Sequence, residues 1–482
     1  LDTMIKKEGK KYGVVKVHLY RPFNSKAFVE ALPKSVKQIT VLDRTKEPGS
    51  NGEPLYLDVV MALNQMNRTD IKVLAGRFAL GGKEFTPACV YQIFANMESD
   101  KPIRRFTVGI NDDVTHLSLP PLKKDIQLAN DYYECKFWGL GSDGTISANK
   151  SSIKIIGQNT KKYIQGFFEY DSKKSGGLTI SHLRMSDGII RSPYFLQHAD
   201  FIAVHNFTYV NKYDVLEGLK PNGCVLLNSI YSPNELSSHL PLAFKEKIQK
   251  LNAKLYTIDA YKVAGAAGLG NRINVIMQSC FFKITNIIPY ETCEKQMKDS
   301  VIKLYSRKGD AVVAANMKAI DAATSDLHEV DVKAFDMKSN PEAIDLSHCS
   351  EFYRNFCAVI DQHRGDSLPV SAFKPDGAVP TATTQYEKRA IGNTAPEWIP
   401  ENCLQCGQCT LVCPHAAIRS KAINPKDLAK APKTFKVANM TGVKDAKFRI
   451  QVSAADCTGC GSCAKVCPAN KNKDKQALVM KP

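Results

Sequence analysis

The 482 residues contain no apolar run approaching the roughly 20 needed to span a bilayer, and the opening stretch LDTMIKKEGKKYG lacks the apolar core of a secretory signal. The expectation is a soluble chain without a membrane partner. Zinc-finger spacings, an RNP-type strand and any block of five like charges are missing too. The formal charge of +17, from 65 Lys and Arg against 48 Asp and Glu, therefore reads as a docking surface for acidic partners rather than for nucleic acid. With 44% hydrophobic and 23% charged residues the composition is that of a globular protein, which excludes disordered, collagenous and coiled-coil chains. At about 100 to 200 residues per domain, three or four domains are expected. The chain opens at Leu1 on a charged helical stub, so the reading is of a piece of a longer protein.

What is abundant is cysteine, 15 in all. Seven (Cys89, Cys135, Cys224, Cys280, Cys293, Cys349 and Cys357) are scattered in apolar or helical surroundings and read as reduced core thiols. The other eight form two runs, Cys403-x2-Cys406-x2-Cys409-x3-Cys413-Pro414 and Cys457-x2-Cys460-x2-Cys463-x3-Cys467-Pro468. That is the bacterial-type iron–sulfur spacing. Three thiolates on a tight loop hold three corners of a cubane. The fourth Cys is expected to open the next helix and, with Pro after it, to point to the other cluster. The ligand sets then cross: Cys403, Cys406, Cys409 and Cys467 for one [4Fe–4S] cluster, and Cys457, Cys460, Cys463 and Cys413 for the second. A pair of zinc sites needs neither the third regularly spaced Cys nor the Cys-Pro end. Gly407, Gly459 and Gly461 let backbone N–H groups approach the sulfides. Residues 414–456 exceed what a two-cluster module needs, so Arg419 to Ile450 reads as an insertion packed on the cluster core. Such clusters suit a reducing compartment, the cytoplasm or an organelle such as a hydrogenosome.

Upstream, residues 14–112 alternate apolar stretches of strand type (Val14 to Leu19, Gln38 to Leu42, Lys72 to Ala75, Phe106 to Val108) with helical ones (Ser25 to Leu32, Leu55 to Asn64, Pro87 to Met97). This predicts an α/β layer with parallel strands. A linker around Pro120-Pro121 precedes a second α/β unit. There the strand Glu134 to Trp138 runs into Gly139-Leu140-Gly141-Ser142-Asp143-Gly144, followed by the helical stretch Thr145 to Ile156 and a strand Ile164 to Tyr170. Strand, glycine loop, helix and strand form the context of a phosphate-binding fingerprint, with backbone N–H groups at the helix start holding the anion. The alternative is a tight turn without a ligand. Glu169 and Asp171 are followed at once by Lys173 and Lys174, cations that favour a ribose bearing its own phosphate, as in coenzyme A or NADP. Further strands are expected at Leu178 to Leu183, Phe201 to His205, Cys224 to Asn228 and Lys254 to Ile258, with helices Val275 to Ile284, Tyr290 to Tyr305 and Asp310 to Leu327. Gly268 to Asn274 offers amide and guanidinium donors at a helix start. Gly-Ser-Asp-Gly at 141–144 is not the Gly-Asp-Gly of a thiamine diphosphate motif, and 167–177 lacks its Asn, so the chain is not expected to hold that pyrophosphate. Residues 335–395 read as an extended arm.

Tyr20-Arg21-Pro22-Phe23, Leu42 to Gly49 (LDRTKEPG), Gly139 to Lys150, Tyr170 to Gly177, Ser181-His182-Leu183-Arg184, Gly268 to Asn274, Gln385-Tyr386-Glu387-Lys388-Arg389 and both Cys runs resemble, in colinear order, the signatures of the pyruvate:ferredoxin oxidoreductases. The resemblance implies a transketolase C-terminal-like α/β domain over 1–116 and a Rossmann-like, gamma-type coenzyme A-binding domain over 131–330. A linker arm with the Glu-Lys-Arg motif (331–395) and a ferredoxin-like α+β domain with two [4Fe–4S] clusters (396–482) would follow. It further implies oxidation of pyruvate with coenzyme A to acetyl-CoA and carbon dioxide, with electrons passed singly to ferredoxin or flavodoxin. By position, Gly141, Ser142, Asp143, Gly144, Thr145, Lys173 or Lys174, and Asn271 or Asn274 would contact coenzyme A; Arg307-Lys308-Gly309 is a weaker candidate. The domains holding thiamine diphosphate and magnesium are not in this chain, which is therefore expected to be inactive alone and part of a homodimer when complete. From 396 to 482, 14 Lys and Arg face 6 Asp and Glu, and Lys471, Lys473 and Lys475 are expected in a face that attracts an acidic ferredoxin. Rival readings are a fusion of the same core to a flavin reductase serving NADP, and a non-catalytic iron–sulfur carrier joined to a nucleotide-binding module.

Overall fold

The computed structural model describes residues 1–122, 126, 128, 131–141, 143–171, 176–338 and 345–481. The chain divides into two compact units. The first comprises Leu1–Tyr132, Ile189–Leu196 and Ser350–Thr381, and the second Tyr133–Gly188, Gln197–Cys349 and Ala382–Pro482.

In the first unit, strands β1 (Gln38–Asp43), β2 (Lys72–Arg77) and β3 (Arg105–Thr107) form a parallel sheet in that order. The helix Ser25–Glu30 precedes β1, and the helices Pro54–Gln65 and Pro87–Glu98 lie between the strands in sequence. Pro begins two of these helices, where its missing N–H costs nothing. Asp43, at the end of β1, accepts from the N–H groups of Leu55 (3.0 Å) and Tyr56 (3.1 Å), and so does the work of an N-cap for the helix Pro54–Gln65. Val14 to Leu19 forms no strand: it has no partner in the sheet, and Val14 and Leu19 are exposed. Alternation alone does not make a strand when no edge receives it.

The second unit is built on a seven-stranded mixed sheet ordered β10-β9-β8-β7-β4-β6-β5. Its strands are β4 (Tyr133–Leu140), β5 (Tyr163–Tyr170), β6 (Leu178–Ser186), β7 (Ala199–Val204), β8 (Leu219–Asn228), β9 (Lys254–Ile258) and β10 (His328–Val330). Strands β4, β7, β8 and β9 are parallel; β6 runs antiparallel to β4 and β5, and β10 to β9. The strand that follows the glycine loop and helix is thus not the neighbour of β4, as the fingerprint context implies. All nine residues of β6 are buried, whereas no residue of β5 is, and a strand buried on both faces takes the inner place.

Alternate residues feed two cores. Phe201 and Ala203 face the helices 260–267, 274–285 and 290–305, while Ile202 and Val204 face Tyr209, Phe244 and Ile248. Among the described residues no helix is long and apolar enough to cross a membrane.

Beyond the arm, β11 (Ala395–Trp398) pairs with β15 (Leu478–Lys481), bringing the two ends of this segment together. Strands β12 (Ile418–Ile423), β13 (Ala438–Asn439) and β14 (Lys447–Val452) form a small antiparallel sheet in the order β12-β14-β13 out of the 414–456 insertion. Phe448 and Ile450 of that sheet pack with Trp398, Cys409 and Leu478.

Candidate functional site

Two groups of residues draw attention, one at the C-terminal ends of β4 and β7 and one around the eight paired cysteines. In open α/β sheets that end of the strands is where ligands bind. The loop after β4 is tied down by Asp143, whose Oδ2 accepts from Leu140 N–H (2.9 Å) and from the Thr145 hydroxyl (2.6 Å), while its Oδ1 accepts from Thr145 N–H (2.7 Å). Thr145 opens the helix Thr145–Asn159 and is 1% exposed. Its oxygen also lies 2.7 Å from Nδ1 of His205, the residue just past β7. A hydroxyl has one proton, and here it goes to Asp143, so His205 donates from Nδ1 and keeps the neutral Nδ1–H tautomer. Burial lowers the His205 pKa from its ordinary 6.5, against the pull of the Asp143 charge. Asn228 at the end of β8 completes the shelf, donating to the His205 carbonyl (2.8 Å) and accepting from Ala260 N–H (3.0 Å).

The structure brings together most of the residues expected around a phosphate-bearing ligand. Gly141 N–H donates to the carbonyl of Gly177, the residue just before β6, at 2.7 Å. A Cβ on Gly144 would come within 3.1 Å of Asn274 Cγ, so the glycine loop abuts the first residue of the helix Asn274–Thr285. Asn271 is exposed in the turn just before that helix. Ser142, Lys173 and Lys174 lie outside the described residues. His205 and Asn228 were missed from sequence, although each is a polar residue directly after a buried apolar run, Phe201 to Val204 and Val225 to Leu227.

The cysteine runs repeat in backbone as well as in spacing. Positive φ occurs two and four residues after the first Cys of each run, at Gln405 (55°) and Gly407 (72°), and at Gly459 (69°) and Gly461 (73°). The third Cys of each run lies in a five-residue helix, Gln408–Val412 or Ser462–Val466. Cys413 and Cys467 close these helices in extended conformation, with ψ of 112° and 119°. The fourth Cys therefore ends the preceding helix rather than opening the next, because Pro after it disfavours helical backbone at its position. Cys413 is followed by a turn at Pro414-His415, and Cys467 by the 3-10 helix Pro468–Lys471.

The two short helices pack on each other, and the thiols sort across the pair. One cavity is lined by Cys403, Cys406, Cys409 and Cys467. Another is lined by Cys457, Cys460, Cys463 and Cys413. Gln405 N–H points at Cys403 Sγ and Gly459 N–H at Cys457 Sγ, each at 3.4 Å. Burial first, then the charges of Cys403, Cys463, Cys406 and Cys467, push the Cys409 thiol up to about 11. Thiolates so crowded need a positively charged group among them. Among the described residues no three such side chains close on a single ion; the thiols stand around voids. Cys224 and Cys357 are only half-buried, unlike the five other scattered cysteines.

Comparison with known proteins gives several matches. Residues 134–325 match the family described as pyruvate ferredoxin/flavodoxin oxidoreductase, 2–90 match pyruvate:ferredoxin oxidoreductase core domain II, 402–470 match a 4Fe-4S double cluster binding domain, and 339–392 match a domain of unknown function. The chain is 51% identical over 98% of its length to a pyruvate:ferredoxin oxidoreductase of Moorella thermoacetica, covering 40% of that protein. It is 45% identical over 98% of its length to a pyruvate-flavodoxin oxidoreductase of Trichormus variabilis, covering 41%. Against a mitochondrial pyruvate dehydrogenase [NADP(+)] of Euglena gracilis it is 41% identical over its whole length, covering 27%. The chain thus spans about two fifths of the first two relatives.

Proposed function

Because this chain belongs to the pyruvate:ferredoxin oxidoreductase family, we propose that it supplies two parts of one oxidative decarboxylation of pyruvate to acetyl-CoA: the coenzyme A cradle and the relay that delivers electrons to ferredoxin or flavodoxin. The observation that carries this reading is the sorting of the eight thiols around two cavities, three from one run and the fourth from the other. In that arrangement each set holds one [4Fe–4S] cluster, which supplies one-electron transfer when bound. The chain's part is to clamp the loops, to keep solvent off Cys409 and to offer N–H groups to Cys403 and Cys457.

At the other site, the loop Gly141 to Thr145 and Asn274 form the floor on which coenzyme A lies, with Asn271 at its rim and Lys173 or Lys174 for the 3′-phosphate. Asp143 and Thr145 act by shaping the loop, since their side chains are spent on each other and on His205. For the same reason Asp143 is not free to hold magnesium. Thiamine diphosphate and its metal would be held by other parts of the enzyme, which would work as a homodimer. Leu411 (87% exposed) and Leu404 (64%) stand beside the first thiol set as an apolar spot on a basic surface. Lys471, Lys473 and Lys475 are exposed after Cys467. An acidic ferredoxin or flavodoxin fits such a face.

Two measurements test this. Material prepared without air should carry iron and acid-labile sulfide at about eight each per chain; colourless, iron-free protein would end the relay reading. Calorimetry should show coenzyme A binding more tightly than its 3′-dephospho form, and equal affinities would remove Lys173 and Lys174 from the site.

A further inference from the structure

The two cysteine loops are near copies in backbone, yet different elements hold them. Gln405 reaches outward: its Nε2 donates to the Asn439 carbonyl at 2.7 Å, and its Oε1 accepts from Thr441 N–H at 2.9 Å. The 414–456 insertion thus braces the first loop. Gly459, at the equivalent position, has no side chain to reach with, and the arm comes to it instead. A Cβ on Gly392 would lie 2.7 Å from the Cys457 carbonyl oxygen and 2.9 Å from Gly459 N. A Cβ on Gly459 would in turn lie 3.0 Å from the Thr394 oxygen and 3.3 Å from Gly392 Cα. Backbone meets backbone there, with no room for a methyl group.

The arm is pinned on both sides of this contact. Lys388 pairs with Asp456 at 2.8 Å, and Ala390 N–H donates to the Ala455 carbonyl at 2.9 Å. Ile391 is 5% exposed in the core of the mixed sheet, where Asn206 Nδ2 donates to its carbonyl at 3.2 Å. Asn393 hydrogen-bonds the side chain of Tyr261. One short segment is therefore fixed to the α/β core and to the second cysteine loop.

We propose that Lys388 to Thr394, which starts inside the stretch matched to a domain of unknown function, is the positioning brace of the second iron–sulfur site. It holds Gly459 N–H against Cys457 Sγ and sets the reduction potential of the second cluster independently of the first. The proposal rests on the reading of one [4Fe–4S] cluster per thiol set. An N–H dipole on a ligating sulfur favours the reduced, more negative cluster, so loosening the brace lowers the potential.

The test is a potentiometric titration, followed by electron paramagnetic resonance, of the full chain prepared without air, together with iron analysis. Gly392→Ala should retain iron and shift one midpoint to more negative potential; Gln405→Ala should shift the other midpoint and leave the first in place. Should Gly392→Ala fail to fold, Lys388→Met removes an exposed contact of the same arm and should move the same midpoint by a smaller amount. The proposal is overturned if the arm variants leave both midpoints unmoved, or if they move the one that Gln405→Ala moves. An unaltered chain without iron overturns the two-cluster reading itself, and the brace with it.

Discussion

Replacing Cys467 with Ala should damage the site built on Cys403, Cys406 and Cys409 and spare the site of its own run. The reason is geometric. Cys413 and Cys467 each end a five-residue helix with the chain extended, and the two helices lie against each other, so each terminal thiol is delivered to the opposite cavity. Four thiols line each cavity. A single substitution therefore touches only one of two cubes. Iron should fall from about eight per chain to about seven if only the corner iron without its thiolate leaves, or to about four if the whole cluster goes. Iron and sulfide analysis gives the count, and electron paramagnetic resonance of the reduced protein gives the identity. Cys467→Ala and Cys406→Ala should remove the same signal, and Cys413→Ala and Cys460→Ala the other. If Cys467→Ala instead groups with Cys460→Ala, each run holds its own cluster and the crossing is wrong.

The buried His205 gives a pH dependence. Its folded pKa lies below the ordinary 6.5 because burial disfavours the charged form, so the unfolded chain binds the extra proton first. The contribution is present above about pH 6.5 and is lost as pH falls through that value toward the folded pKa. Thermal unfolding of the second unit between pH 8 and 5 should lose part of its slope in His205→Gln. Some slope should remain, because burial also lowers His182; an unchanged slope would exclude His205 as a contributor. In the first unit Glu53 is 1% exposed and faces Arg77 at 3.8 Å and Arg105 at 3.5 Å. Glu53→Ala strands the buried Arg77 and should cost about 3 to 5 kcal/mol, read as lost amide-exchange protection in β1 to β3. Protection within experimental error of the unaltered chain would show that the charges are not coupled. Reversing the charges of Lys471, Lys473 and Lys475 should flatten the salt dependence of ferredoxin reduction in the assembled enzyme, and an unaltered dependence would move the docking face elsewhere.

The cysteine runs were legible because ligand spacing is a local property: three thiols on one loop and a Cys-Pro end are written in consecutive residues. Strand and helix positions were legible for a related reason. Phe201 to Val204 and Val225 to Leu227 are apolar runs, and β9 occupies the predicted residues, Lys254–Ile258. Order within the sheet is not local. The segment LTISHLRMS carries His182 and Arg184 and so looks half-solvated, yet it is the buried strand β6. Its polar groups are carried inward because each has a partner on an adjoining strand: His182 meets Glu169 of β5, and Arg184 donates to Glu134 of β4 at 2.9 Å and to Gln165 of β5 at 3.0 Å. Polar residues that satisfy one another across strands erase the alternation by which burial is normally inferred.

The same blindness hid His205 and the arm, and for them the consequence is functional. Thr145 is read from sequence as a ligand contact because it sits in a glycine loop. Only the arrival of β7 beside β4 supplies the imidazole that takes up its oxygen and turns the side chain inward. Likewise Gly392 is unremarkable in a poorly periodic stretch until Gly459 is set against it, and then the absence of a Cβ at both positions becomes the condition for the contact. Residues whose role is to touch substrate can be found by motif, since the motif encodes the ligand's shape. Residues whose role is to hold such a motif still are found only where distant parts of the chain converge. At that level the second cysteine loop depends on an arm that its own spacing never mentions.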